Sequence, residues 1–544
     1  MTRQRLHIPP APYRPGLSRR RLLYLGAAAS GAVLTGCTGP GPGAGGTGGP
    51  AAGTPRTGGA AVVGGLAPFT TFDPQNASDA IGVTRHLFDA LYEVDETSPE
   101  LAVRPVLAAG PPTRTTPTTW QIRFRTTGFH DGTPMTADDV AFSIQRVVAP
   151  PDGQVSFYSQ LLTFVTGVRV VAADTIEITT HYPVNDDVFA RRLALPALGI
   201  VPKALVEARG AEFGTRPVGS GPYEFVSYRE NQSVELRRFA GYTGPSGGWF
   251  DTISWRILVD DTARAAALRA RQVDVVQSPP FRDLELLRGS GFEVVMAPTP
   301  AAVYLTFNCA KAPFTDPRVR QALHYAIDHD SITQIAYAGN ATFATSVLPD
   351  WHPDHARPTA VFDRNPDTAR SLLAAAGVPA GLKIVLQAQQ TGYMQQTATV
   401  IRQNWQDLGL DVDLRIEAGT TLAGKILGGG DFDAVISSGN PVGQSFDVPG
   451  ALSSFYAPGA FRDRFLRWSG PAADRFAELL DSAPALPAEQ TPARYAQLQQ
   501  LLADEVPTYP MHYLSVPNVV DTGAVAGLGA QRWEHLDLRR AWRA

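Results

Sequence analysis

Trp120, Ile122 and Phe124 alternate with Gln121, Arg123 and Arg125, the period of a strand with one buried face. Val140, Ile144 and Val147 then recur at helical spacing behind Thr136, which stands at an N-cap position with Asp138 and Asp139 in the first turn, where carboxylates meet the positive helix end. Gly132 and Pro134 mark the turn between these two elements. Val168 to Val171, a turn at Ala173-Asp174, and Thr175 to Thr180 predict a hairpin. Ile253, Trp255 and Ile257, then residues 262–270, then Val273 and Val275 read as strand, helix and strand.

The second half repeats the alternation. Residues 303–308 predict a strand, and Asp316 followed by Pro317 is a strong helix start. Asn365-Pro366-Asp367 opens another helix that Gly377 ends, before a strand at 382–386. A helix over 396–408 carries Val400, Ile401, Trp405 and Leu408 on one side, stops at Gly409, and passes into Leu410, Val412 and Leu414 alternating with acids. A helix over 495–502 precedes a last strand near Pro507 to Tyr513. Repeated helix, glycine and strand predict layered α/β domains, and 544 residues are enough for more than one.

The amino terminus has a different composition. Ser18-Arg19-Arg20-Arg21-Leu22-Leu23 precedes a short Ala/Gly-rich apolar run and then Leu34-Thr35-Gly36-Cys37. That run is too short for a membrane-spanning helix and suits a signal-peptide core with a twin-arginine-like start. The Leu-Thr-Gly-Cys tetrapeptide resembles a lipobox, which makes Cys37 the expected lipidation site. Residues 38–59 have the Gly/Pro/Ala/Thr composition of a flexible spacer. Their formal G-x-G-x-x-G at 41–46 lacks the preceding strand and following helix of a dinucleotide site.

The first 36 residues carry six arginines and no acid, so the remainder has a net charge of about −10. No basic field remains for nucleic acid. Cys309 is the second of the chain's 2 cysteines and is expected to be a small buried residue. There is no G-x-S-x-G, H-E-x-x-H or C-x-x-C, so the chemistry of common hydrolases and metalloenzymes has no local signature. His352-Pro353-Asp354-His355 offers two imidazoles and a carboxylate, but Pro353 and the preceding Pro349 favour a loop over a metal-binding helix. No cofactor is expected.

Several segments read together resemble the bacterial extracellular solute-binding proteins of family 5, the peptide- and nickel-type receptors of ABC importers. Phe129-His130-Asp131-Gly132-Thr133-Pro134-Met135-Thr136-Ala137-Asp138-Asp139-Val140 resembles the family's F-H-D-G-x-P-x-T-A-x-D-V. Pro217-Val218-Gly219-Ser220-Gly221-Pro222-Tyr223 resembles P-V-G-T-G-P-Y. Arg264, Ala267, Leu268, Val273 and Asp274 match R-x-x-A-L-x-x-G-x-V-D, with Arg271-Gln272 departing from the usual Gly-Glu. Asn308 and the segment Pro313 to Asp328 resemble N-x-x-x-x-P-F-x-D-x-R-V-R-x-A-x-x-x-A-I-D. The resemblance covers roughly residues 60–525.

It implies a bilobal periplasmic-binding-protein-like α/β fold of type II, in the large three-domain variant. The expected divisions are a signal peptide at 1–36, a linker at 37–59, lobe I from 60–99, 211–298 and 511–544, an additional β-rich domain at 100–210, and lobe II at 299–510. The implied role is that of a lipid-anchored, monomeric extracytoplasmic receptor. It would capture a solute, an oligopeptide above all, and deliver it to ABC permease subunits without catalysing a reaction. A metal chelate, glycoside or other polar solute is the alternative within the family; a secreted hydrolase is the alternative outside it.

In peptide-binding members an acid in a G-W-x-x-D-like segment pairs with the ligand ammonium. The corresponding stretch here, Asp431 to Pro449, lacks the tryptophan, and its nearest acid is Asp447. Asp447 is therefore the candidate ammonium partner, with Ser438 and Asn440 as candidates for a neutral polar solute. Asn308, Ser220 between its two glycines, and Thr70 in the first strand-to-helix loop complete the candidate set. Ser220 is read equally well as part of a tight turn.

Overall fold

The computed structural model describes residues 54–544 apart from 67, 78, 97, 99, 151–157, 420, 423, 425–431, 441–444, 460 and 533–534. Cys37, the export signal and the Gly41–Gly46 stretch lie outside the described residues.

The first sheet has seven strands, ordered Glu293–Val295, Asn518–Val520, Val275–Gln277, Ala60–Gly65, Thr252–Ile257, Ser233–Arg238 and Tyr223–Arg229. Its central strand runs parallel to both neighbours, Val63 opposite Trp255 on one side and Val275 on the other. Side chains alternate between two cores: Val63, Val275 and Val520 enter one, while Val276 and Val519 enter the other with Leu268 and Leu284. Both faces are therefore covered.

The second sheet has six strands, ordered Ala341–Phe343, Thr508–Ser515, Pro298–Phe307, Ala434–Gly439, Lys383–Gln389 and Asp411–Glu417. Val303, Leu305 and Phe307 point into the largest core, against Leu323, Ile401 and Trp405, whereas Ala302 and Tyr304 point to the opposite face with Tyr513. Thr508–Ser515 pairs with Pro298–Phe307 on one edge and Ala341–Phe343 on the other. Residues 511–515 thus belong to the second sheet, and the expected division at residue 510 is displaced to the Val516-Pro517 crossing.

The β-rich block forms a four-stranded sheet ordered Thr113–Thr116, Thr119–Arg123, Thr175–Thr180 and Val165–Ala172. Trp120, Ile122, Ile176 and Ile178 meet Val140, Ile144 and Val147 of the helix Ala137–Val148 in one core. That helix begins with a capping box: Thr136 accepts from the Asp139 amide, and the Asp139 carboxylate accepts from the Thr136 amide at 2.8 Å. The other Asp139 oxygen accepts from the Lys203 amide at 2.8 Å, so the cap also fixes the chain entering the helix Lys203–Arg209.

Candidate functional site

The chain passes between the first and second sheets twice, between Val295 and Pro298 and between Ser515 and Asn518. The two crossings are side by side, since Pro298 pairs with Ser515 and the Ser278 amide donates to Pro517 O. Two adjacent connections of this length form a hinge between the lobes built on the two sheets.

The signature motifs attach the four-stranded domain to the first lobe. His130 Nδ1 accepts from the Gly219 amide at 3.2 Å, and its Nε2 donates to Gly221 O at 3.0 Å. Gly219 and Gly221 lie against the end of the helix Ile81–Leu87: a Cβ on Gly219 would fall 2.0 Å from Leu87 O, and one on Gly221 would fall 2.6 Å from His86 O. Ser220 is buried between them, and its hydroxyl accepts from the Asp89 amide at 3.4 Å. The glycines therefore serve a close approach between two stretches of this chain's own backbone. A second attachment is the buried pair Asp73–Arg146, at 2.6 Å, joined by Gln75.

The lobes touch on both sides of the hinge. Phe281 of the first lobe meets Tyr337 and Tyr393 of the second edge-on, at ring separations of 6.0 and 6.1 Å. On the other side Phe446 enters the core of the four-stranded domain, and the Asn185 amide donates to Pro484 O at 2.7 Å. Arg532, in the carboxyl-terminal segment of the first lobe, lies over the indole of Trp351 from the second, 4.6 Å from the ring centroid.

The sequence candidates do not gather at one point. Asp447 caps the helix Val448–Tyr456 by accepting from the Gly450 amide, and both its oxygens accept from the Arg192 guanidinium. Ser438 is exposed and opposite Val303, near the hinge end of the second sheet; half-buried Asn440 follows the same strand. Asn308 is at the far end of the strand partnering them, where its amide donates to Phe432 O at 3.1 Å and accepts from the Ala310 amide. Thr70 is exposed on the first lobe, its amide donating to Asp79.

His352 and His355 do not converge. His352 Nδ1 accepts from the Asp354 amide at 3.1 Å, and His355 Nε2 lies 3.1 Å from the Thr345 hydroxyl. Among the described residues no group of three or more His, Cys, Asp or Glu could hold a metal ion. Cys309 is free, and burial pushes its thiol up to about 11, which removes it from nucleophilic chemistry near neutrality.

Residues 102–463 match the model of the bacterial extracellular solute-binding proteins, family 5. The chain belongs to that family. The glutathione-binding protein GsiB of Escherichia coli is 31% identical over 322 residues, 58% of this chain and 61% of that protein. The chain thus matches about three-fifths of the length of its curated relatives. Solved structures of the same fold extend further. DppA from Helicobacter pylori, in complex with the peptide STSA, superposes with a TM-score of 0.79 at 20% identity, covering 90% of this chain and 98% of that one. NikZ from Campylobacter jejuni, in complex with Ni(L-His), gives 0.77 at 18% identity, covering 89% and 99%. The expected type II bilobal fold is the observed one.

Sequence reasoning missed Arg192, Trp351 and Arg532. Arg192 and Arg532 meet their partners only in three dimensions, and Arg532 lies beyond the stretch that carries the family resemblance. Trp351 sat in view beside His352 but had no periodic context.

Proposed function

We propose that this protein is the solute-capturing receptor of an ABC importer, taking a small peptide or peptide-like solute between its lobes and presenting it to a membrane permease without chemical turnover. The observation that carries this is the paired crossing beside Ser278 and Pro517, which leaves two separately cored lobes free to close on a solute. Closure is favoured only as far as the solute binds the closed form better than the open one. The family's solute-binding role and the glutathione-binding relative support the same class of ligand.

Cys37 is the proposed lipid attachment point, which would tether the body to the outer face of the cytoplasmic membrane through the residue 38–59 spacer. Incorporation of labelled fatty acid, lost in a Cys37→Ala variant, tests that assignment.

A second reading, a non-peptide solute such as a metal chelate, draws on Asp447. Its carboxylate already accepts from Arg192 and the Gly450 amide, so a peptide ammonium would have to displace a guanidinium there. Native mass spectrometry of protein purified without denaturation separates the two. A co-purified series of peptide masses supports the first reading; a single non-peptide mass replaces it with the second. Turnover of the bound species would sink both in favour of a hydrolase.

A further inference from the structure

Three donor nitrogens with no partner among the described residues lie close together where the lobes touch. Trp351 Nε1, His352 Nε2 and Arg532 Nη1 are each buried without a hydrogen-bond partner. They belong together: the indole and imidazole centroids are 6.1 Å apart, and the guanidinium carbon is 4.6 Å from the indole centroid. Trp351 and Arg532 can only donate. His352 joins them, because its Nδ1 accepts from the Asp354 amide and the proton of the neutral ring is thereby on Nε2. Neutrality is secured by burial first and then by the nearby charges of Arg191, His355 and Arg532, which hold the imidazole down to about 3. Among the described residues Arg532 has no ion pair, and its guanidinium lies over the Trp351 face.

Arg532 and Trp351 are half-buried and His352 is buried, and leaving a buried nitrogen of each without an acceptor is costly; native proteins rarely leave such groups unsatisfied. The missing partner must supply negative charge and acceptors, and no described acid of this chain does so. Stacking on the indole occupies the face of the guanidinium and leaves its N–H edge, the edge that pairs with planar oxyanions. The position is also informative. The segment carrying Arg532 is anchored to the first lobe through the Leu538 amide on His86 and the Gly248 amide on Arg539 O. Trp351 follows the strand Ala341–Phe343 of the second sheet and packs against the core of the four-stranded domain. The cluster therefore exists only while the lobes are together.

We propose that Arg532, Trp351 and His352 form an oxyanion subsite that receives a carboxylate of the captured solute and couples its charge to lobe closure. This deepens the solute-capture reading and rests on it. The class of ligand becomes an acid: a peptide read at its carboxyl end, or another small carboxylate.

The test is calorimetric titration of the full chain with tri-alanine, tri-alanine amide, reduced glutathione and inorganic phosphate. The free acid should bind about tenfold or more tightly than the amide, and Arg532→Gln should abolish that preference. A preference that survives in Arg532→Gln, or wild-type protein that binds acid and amide alike, overturns the subsite. Binding of phosphate in place of the organic acids would assign the donors to a free inorganic anion and equally overturn it. Should wild type bind none of the four, the peptide reading fails, and the ligand-free protein still decides the subsite. Arg532→Met should leave the thermal midpoint unchanged or raised, because a donor nitrogen buried without an acceptor is removed. A fall of more than about 5 °C would make Arg532 a structural member and sink the proposal.

Discussion

Arg192 Nη2 donates to Asp447 Oδ1 at 3.0 Å, joining the four-stranded domain to the second lobe through two side chains that are 255 residues apart and both buried. Truncating Asp447 would therefore do more than remove a candidate ligand contact. It would leave a guanidinium buried without its counter-charge and a helix without its cap. We expect Asp447→Ala to destabilise the protein by about 3–5 kcal/mol, seen as a lower thermal midpoint in the absence of solute. The double variant Arg192→Leu/Asp447→Leu should recover most of that loss, since two apolar side chains leave no orphaned charge. A double variant as unstable as the single one would show that the pair is not the source of the effect.

The two glycines flanking Ser220 make a sharper steric prediction. Gly219→Ala places a methyl 2.0 Å from Leu87 O, and Gly221→Ala places one 2.6 Å from His86 O; neither partner is the movable end of a side chain. Backbone must shift in both cases, and the His130 hydrogen bonds to this loop shift with it. Each should cost several kcal/mol, in the range that overpacking against rigid structure reaches. Gly110→Ala, where nothing lies within 4 Å of the new atom, is the control and should be close to neutral. Thermal midpoints of the three variants decide the matter; equal shifts would refute the steric account.

The cap at Thr136 and Asp139 separates two roles that the sequence merges into one motif. Thr136→Ala removes one acceptor of the helix start and should cost about 1 kcal/mol. Asp139→Ala removes the acceptor for the Thr136 amide and also that for the Lys203 amide, so it should cost more. Urea midpoints of the two variants give the order directly. An Asp139→Ala loss no larger than that of Thr136→Ala would mean that the Lys203 amide finds another partner.

These contrasts mark what the sequence could and could not disclose. Strand alternation at Trp120 and Ile122, and the helix start at Asp316-Pro317, depend on residues within a few positions of one another, and each element formed where its local pattern placed it. Asp447 carried the same kind of local signal, an acid followed within two residues by Pro449, and it caps a helix as Asp316 does. Interpreted through the family's ligand acid, it suggested chemistry instead. A division at residue 510 parts residues 511–515 from the rest of their strand, because a strand's sheet is chosen by partners about two hundred residues away, here Pro298–Phe307. Arg192 with Asp447 and Trp351 with Arg532 are likewise contacts of tertiary structure, with no periodicity to announce them.

Acid sensitivity follows from buried imidazoles. Burial lowers His86 and His512 to about 4 and His324 and His352 to about 3, from 6.5. A group whose folded value lies below its unfolded one binds more protons in the unfolded state, so stability is complete above pH 6.5 and falls as pH drops toward 4. Asp89 and Asp354 act in the opposite sense, raised to about 7 and about 6 by burial, and they offset part of the loss. Four imidazoles outweigh two carboxylates, so the thermal midpoint should decline from pH 7 to pH 4.5. His324 isolates the cause, because its Nε2 is buried without a partner among Phe307, Phe362 and Tyr509. His324→Phe should keep or raise the midpoint at pH 7 and make its decline with acid shallower. Parallel pH curves for wild type and His324→Phe would show that this imidazole does not take up a proton on unfolding.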